Sequence, residues 1–119
     1  RYYIMLHVYG IKNCNTVKKA LDWLTENKKD FIFHDFKKEP ATVEQLTQWE
    51  KSVSWELLLN KKGTTWRKLS PEEQTLVVDA ESANKVLASN NSMIKRPIVE
   101  YAKGLLLGFD EAAYTEELK

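Results

Sequence analysis

The chain has 119 residues, 43% hydrophobic and 29% charged, the balance of one ordinary globular domain with enough material for a buried core. Its 18 basic and 17 acidic side chains leave a formal charge of +1, so no global field draws it to nucleic acid or to an anionic membrane. One cysteine excludes an internal disulfide and a cysteine-based metal cage, which argues against a secreted disulfide scaffold and for a reducing compartment. With no charged-then-apolar leader and no apolar run of bilayer length, the expected location is the cytoplasm.

Residues 3–9 are apolar, aromatic or β-branched and predict a central strand covered on both faces, preceded by a short extension at residues 1–4. After Gly10-Ile11-Lys12-Asn13-Cys14-Asn15-Thr16, the residues Val17, Ala20, Leu21 and Leu24 recur at the spacing of one helical stripe. Asn15 or Thr16 is the expected cap of that helix. Phe31 to Phe36 predicts a second strand, and a strand-helix-strand unit with short joins makes the two strands parallel.

The middle of the chain reads as helical. Thr42-Val43-Glu44-Gln45 has the form of a capping box, with Val43, Leu46 and Trp49 sharing the face behind it. A short helix is expected over Trp55 to Leu59, ending near Lys62-Gly63. Ser70-Pro71-Glu72-Glu73 starts another, and Asp79 caps one more that ends by Asn90-Asn91. Strand character returns at Pro97 to Tyr101, turns through Ala102-Lys103-Gly104, and runs back over Leu105 to Leu107. Asp110 caps a final helix. This order predicts an α/β fold: a thioredoxin-like mixed four-stranded sheet within a single domain over 1–119, with a helical insertion at about 41–92 between the second and third strands.

The candidate chemistry centres on Cys14, placed between a strand and an amphipathic helix. The first turn of a helix offers unpaired N–H groups and the positive end of its dipole, and both favour a thiolate. The polar neighbours Asn13, Asn15 and Thr16 argue against deep burial, and Lys12 and Lys18 add positive potential. Pro97 falls where thioredoxin-like folds carry a cis-proline, facing the cysteine loop. Arg96, immediately before it, is then aimed at that loop, where a guanidinium holds a carboxylate or oxyanion at two points, while Lys95 points the other way. His7 and His34 lie in strands without partners at metal-ligand spacing and read as core or sheet-face residues. Trp49, Trp55 and Trp66 read as packing residues of the insertion. Lys61-Lys62 and Arg67-Lys68 read as a solvated face, with a weaker alternative in which they make Gly63-Thr64-Thr65 a second anion contact.

Three segments carry a family resemblance: Tyr9 to Thr16, Leu58 to Leu69, and Ile94 to Val99 with Leu107-Gly108-Phe109. Together they resemble the ArsC/Spx family of arsenate reductase-like proteins, and within it the small YffB-type thiol-reductase-like proteins, from about residue 5 onward. The resemblance implies that Cys14 is the nucleophile and Arg96 the oxyanion-binding arginine before cis-Pro97. The chain departs from the arsenate reductases in three places. Gly10 stands where they have a histidine, and Asn60 and the Gly108-Phe109 region stand where they have further arginines. Val17 stands where many Spx-type regulators have a second cysteine, which removes an internal disulfide switch.

The function expected on this basis is a glutathione-dependent thiol reductase. Cys14 would form a mixed disulfide or arseno-thiol adduct, and an external thiol would resolve it because the chain has no second cysteine. Arg96, Lys12, Asn15 and Thr16 are the expected substrate and anion contacts. No cofactor is expected to bind tightly; glutathione is the expected co-substrate, alone or on a glutathionylated substrate. No metal, nucleic acid or membrane contact is expected, and the chain is read as a monomer. Two alternatives remain, a non-catalytic, Spx-like regulator that binds a protein partner and an arsenate reductase proper.

Overall fold

A computed structural model describes residues 5–119. The expected first strand begins at residue 3, so its first two residues and the expected extension lie outside the described residues. The chain forms two compact units. One combines the segment up to Glu39 with Arg96–Lys119, and the other is Pro40–Lys95.

The first unit holds the sheet. Strand β1 (Leu6–Gly10) pairs in parallel with β2 (Phe31–Asp35), with Leu6 opposite Phe31 and Gly10 opposite Asp35. On its other side it pairs antiparallel with β3 (Ile98–Tyr101), which returns through a hairpin to β4 (Gly104–Leu107). The strand order is β2-β1-β3-β4, so β1 is central as expected. Its faces differ, however. Leu6, Val8 and Gly10 are buried, whereas His7 and Tyr9 are half-buried, the period-two alternation that a near-continuous apolar run had concealed.

Helix α1 (Asn15–Glu26) and helix α7 (Glu111–Glu117) cover the buried face. The core there joins Leu6, Val8, Ala20, Trp23, Leu24, Val99, Tyr114 and Leu118. Leu21, expected on the stripe with Val17, Ala20 and Leu24, packs only at the margin of this core, and Trp23 joins the buried set instead. Trp23 and Phe109 both meet the Tyr114 ring edge-on, at centroid separations of 5.4 and 4.9 Å, the arrangement aromatic quadrupoles favour. Each large side chain fully buried here stabilises the fold by about 1.5–3 kcal/mol.

The second unit is built from short capped helices: α2 (Val43–Trp49), α3 (Trp55–Leu58), α4 (Thr64–Arg67), α5 (Pro71–Thr75) and α6 (Ala80–Ser89). The capping residues expected from sequence are in place. Thr42 accepts from the Gln45 N–H at 3.2 Å, and Ser70 and Asp79 each close a reciprocal capping box. Val43 departs from its expected role, being 45% exposed while Leu46 and Trp49 are buried. A further departure is α4: Gly63-Thr64-Thr65 is the start of a helical turn and not an open loop, and Lys61 sits 5.6 Å from the centre of the Trp66 ring. Trp49 and Trp66 are buried, as packing residues should be. Backbone bonds from Asn60 N–H to Met93 C=O and from Lys95 N–H to Leu58 C=O, each 2.8 Å, close this unit near its end.

Candidate active site

Gly10 ends β1, and its carbonyl accepts the Phe36 N–H at 2.8 Å, which fixes the exit of the strand. After three intervening residues, Ile11 to Asn13, comes the cap of the helix. This cap is Cys14 itself, in extended conformation at φ −146° and ψ 120°, with its carbonyl accepting the first helical bond from Lys18 N–H at 2.9 Å. Asn15 and Thr16, expected as caps, are the first two residues of the helix proper. The reason is geometric: the cap is the last residue outside helical φ/ψ, and that residue is the cysteine.

As a thiol, Cys14 makes no conventional side-chain capping bond, since a thiol is a weak acceptor. The thiolate is different. Partial burial pushes Cys14 up, but the Val17 N–H, the Arg96 guanidinium, the Thr16 N–H and the Arg96 charge together outweigh it and hold the thiol below the ordinary cysteine value. The two N–H donors occupy the N2 and N3 positions, where a cap side chain normally finds them. No acidic residue lies in the first turn of α1 to offset its positive end. The charged side chain acting on the sulfur is Arg96; Lys18 is engaged instead with Asp22 at 3.5 Å, and Lys12 is exposed.

Cys14 as a residue is half-exposed. Asn15 and Thr16 are exposed beside it. Arg96 is half-buried, and the Arg96–Pro97 peptide bond is cis. The Pro97 carbonyl accepts the Gly108 N–H at 2.9 Å, and the Gly108 carbonyl accepts the Tyr114 hydroxyl at 2.7 Å. Arg96 thus projects from a strand entry anchored to both the hairpin and α7.

His7 and His34 illustrate what spacing alone misses. They face each other from β1 and β2 with His7 Nδ1 and His34 Nε2 2.9 Å apart, and Glu39 lies 3.2 Å from the other nitrogen of His34. With ring centres 5.1 Å apart and planes inclined by 23°, this is an in-line hydrogen bond more than a stack. Tyr9 does stack on His34, at 4.4 Å and 13°. Among the described residues no group of three or more histidine, cysteine or acidic side chains is arranged to hold a metal. No helix among them is long and apolar enough to cross a membrane.

A parallel β-α-β unit followed by an antiparallel hairpin, with cysteine capping the first helix and cis-proline opening the hairpin, defines a thioredoxin-like protein. The chain belongs to the ArsC family, whose model matches residues 9–117. A YffB protein of known structure is 38% identical, superimposes with a TM-score of 0.91, and covers 97% of this chain and 100% of its own. An arsenate reductase (ArsC) related protein from Brucella melitensis is 43% identical with a TM-score of 0.77, the match covering 100% of this chain and 98% of that one. The global transcriptional regulator Spx 1 of Lactococcus lactis is 27% identical over 111 residues, 90% of this chain and 84% of that one. Family membership and the thioredoxin-like fold agree with the resemblance read from the sequence.

Proposed function

We propose that the protein is a glutathione-dependent thiol reductase acting on glutathionylated substrates. The observation that carries this reading is the half-exposed Cys14, held below its ordinary pKa by two main-chain N–H groups and Arg96. The Cys14 thiolate attacks the glutathione sulfur of a mixed disulfide; the new S–S bond forms on Cys14 as the substrate thiolate leaves and takes a proton from water. A second glutathione, as thiolate, then attacks the Cys14-bound glutathione sulfur, giving oxidised glutathione and restoring the Cys14 thiolate. The donors around the sulfur favour it both as attacking and as leaving thiolate. Arg96 is the proposed holder of a glutathione carboxylate, with Lys12, Asn15 and Thr16 as the remaining polar contacts.

Arsenate is the less favoured substrate, because Asn60 and the Gly108-Phe109 region stand where the arsenate reductases place arginines. Intact mass measurement after exposure to oxidised glutathione tests the proposal. One glutathione adduct on Cys14, released by reduced glutathione, is the expected result. No adduct at neutral pH, or a thiol titrating at or above the free value of about 8.5, removes the activation argument.

A second reading, a regulator that binds a protein partner without turnover, is favoured by one feature. Leu76 and Val78 are 71% and 70% exposed on the connection between α5 and α6, and neighbouring exposed apolar side chains suit a protein contact. A partner whose capture survives Cys14→Ser but is lost in Leu76→Ser with Val78→Ser, together with no thiol transfer by the parent protein, would decide for this reading.

A further inference from the structure

Gly10 ends a paired strand, and its position is defined by what lies over its α-carbon. A β-carbon there would come within 2.9 Å of Val17 Cγ2, 3.6 Å of Val17 Cγ1 and 3.9 Å of Phe33 Cε1. A separation of 2.9 Å is shorter than carbon atoms tolerate, so one partner must move. Val17 has little freedom to do so: it is 1% exposed, and a β-branched side chain in a helix is held near a single χ1 rotamer. The displacement would pass to the Val17 backbone in the first turn of α1. That backbone carries the N3 N–H of the helix that Cys14 caps, a group that favours the ionised thiol.

We propose that Gly10 and Val17 are positioning residues for Cys14: the valine side chain, seated against the bare α-carbon of Gly10, fixes the first-turn backbone N–H at the third helical position behind the Cys14 cap. Glycine serves here by omitting a side chain. The contact gives the buried face of the sheet a direct hold on the reactive group, since Gly10, Val17 and Phe33 belong to β1, α1 and β2 respectively. The proposal rests on the reading of Cys14 as a functional thiolate, and its test needs no turnover.

The experiment compares the pH profile of Cys14 alkylation by iodoacetamide in the parent, Gly10→Ala, Val17→Ala and the double variant, with folding followed by circular dichroism. Gly10→Ala is expected to react about threefold or more slowly at pH 6.5 while converging with the parent at alkaline pH, the signature of a raised thiol. Val17→Ala, which leaves the hollow unfilled and the first turn loose, is expected to shift the same way. The double variant replaces about half of the lost volume, one methyl for two, without the clash and is expected to move back towards the parent profile. A folded Gly10→Ala with the parent profile overturns the proposal, as does a double variant that fails to recover. If Gly10→Ala does not fold, Val17→Ala decides, and an unchanged profile there is equally fatal. A parent protein with a low-titrating thiol but no glutathione transfer would sink the reductase reading and leave this positioning intact.

Discussion

The guanidinium of Arg96, at the entry to β3, acts on the Cys14 thiol at the cap of α1 and favours its ionised form. The pair links the entry to the antiparallel hairpin with the helix of the parallel β-α-β unit. Among the described residues Arg96 supplies the side-chain charge that acts on the thiol. Arg96→Ala should therefore raise the Cys14 thiol towards the free value, so that less thiolate is present at neutral pH. Because a hydrogen bond to a charged group is worth about 1.5–3 kcal/mol, kcat/KM for glutathione transfer should fall by about 10–100-fold. Arg96→Lys should recover part of the charge effect but not two-point carboxylate binding, leaving KM raised. Steady-state kinetics with glutathionylated peptide, paired with alkylation rates across pH, separates the two effects.

Alkaline stability should depend on Tyr9. Burial, followed by the nearby Glu100 carboxylate, pushes its hydroxyl up to about 12. A raised acid is neutral in the fold over a range where the unfolded chain has already lost the proton. The stability it contributes is full below about pH 10 and is lost as pH rises towards 12. Urea midpoints should fall across that window in the parent and fall less steeply in Tyr9→Phe. An identical slope in the two proteins would show that Tyr9 does not contribute.

Tyr114→Phe should destabilise the sheet unit without disturbing packing. The ring is buried and its hydroxyl donates to the Gly108 carbonyl at 2.7 Å. Removing the hydroxyl deletes this bond and leaves the acceptor poorly satisfied, a loss of about 1–3 kcal/mol. Urea denaturation should show a lower midpoint at unchanged m-value. A midpoint unmoved from the parent would mean that water satisfies Gly108 equally well.

The imidazoles of His7 and His34 should be energetically coupled. A double-mutant cycle with His7→Phe and His34→Phe isolates their 2.9 Å hydrogen bond from changes in packing. The expected coupling is about 0.5–1.5 kcal/mol at neutral pH. Additive single-variant effects would contradict the bond.

Local chemistry made much of the molecule legible in the sequence. Ser70-Pro71-Glu72-Glu73 and Asp79 predicted their helix starts because capping is settled within four residues of chain. The parallel pairing of the first two strands followed from the short helical connection, and the hairpin from its turn. Cys14, Arg96 and cis-Pro97 were named from their places in that order. Val43 shares the predicted face of Leu46 and Trp49 yet is 45% exposed, because helical periodicity defines a stripe without saying which residues at its edge meet another surface.

The sequence by itself determined the elements, their order and the place of the single cysteine at the start of the first helix, since propensity, capping and connection length act between near neighbours. Tertiary structure alone brought Arg96 to that cysteine and set Val17 against the empty space at Gly10, through the pairing of β1 with β3 and the seating of α1 on the sheet; the Val17 N–H is a local donor of the first helical turn. The same holds for His7 and His34, whose contact depends on the register that sets Tyr9 opposite His34. Distances across strands are set by packing and register, and a linear pattern of residue types does not encode them directly.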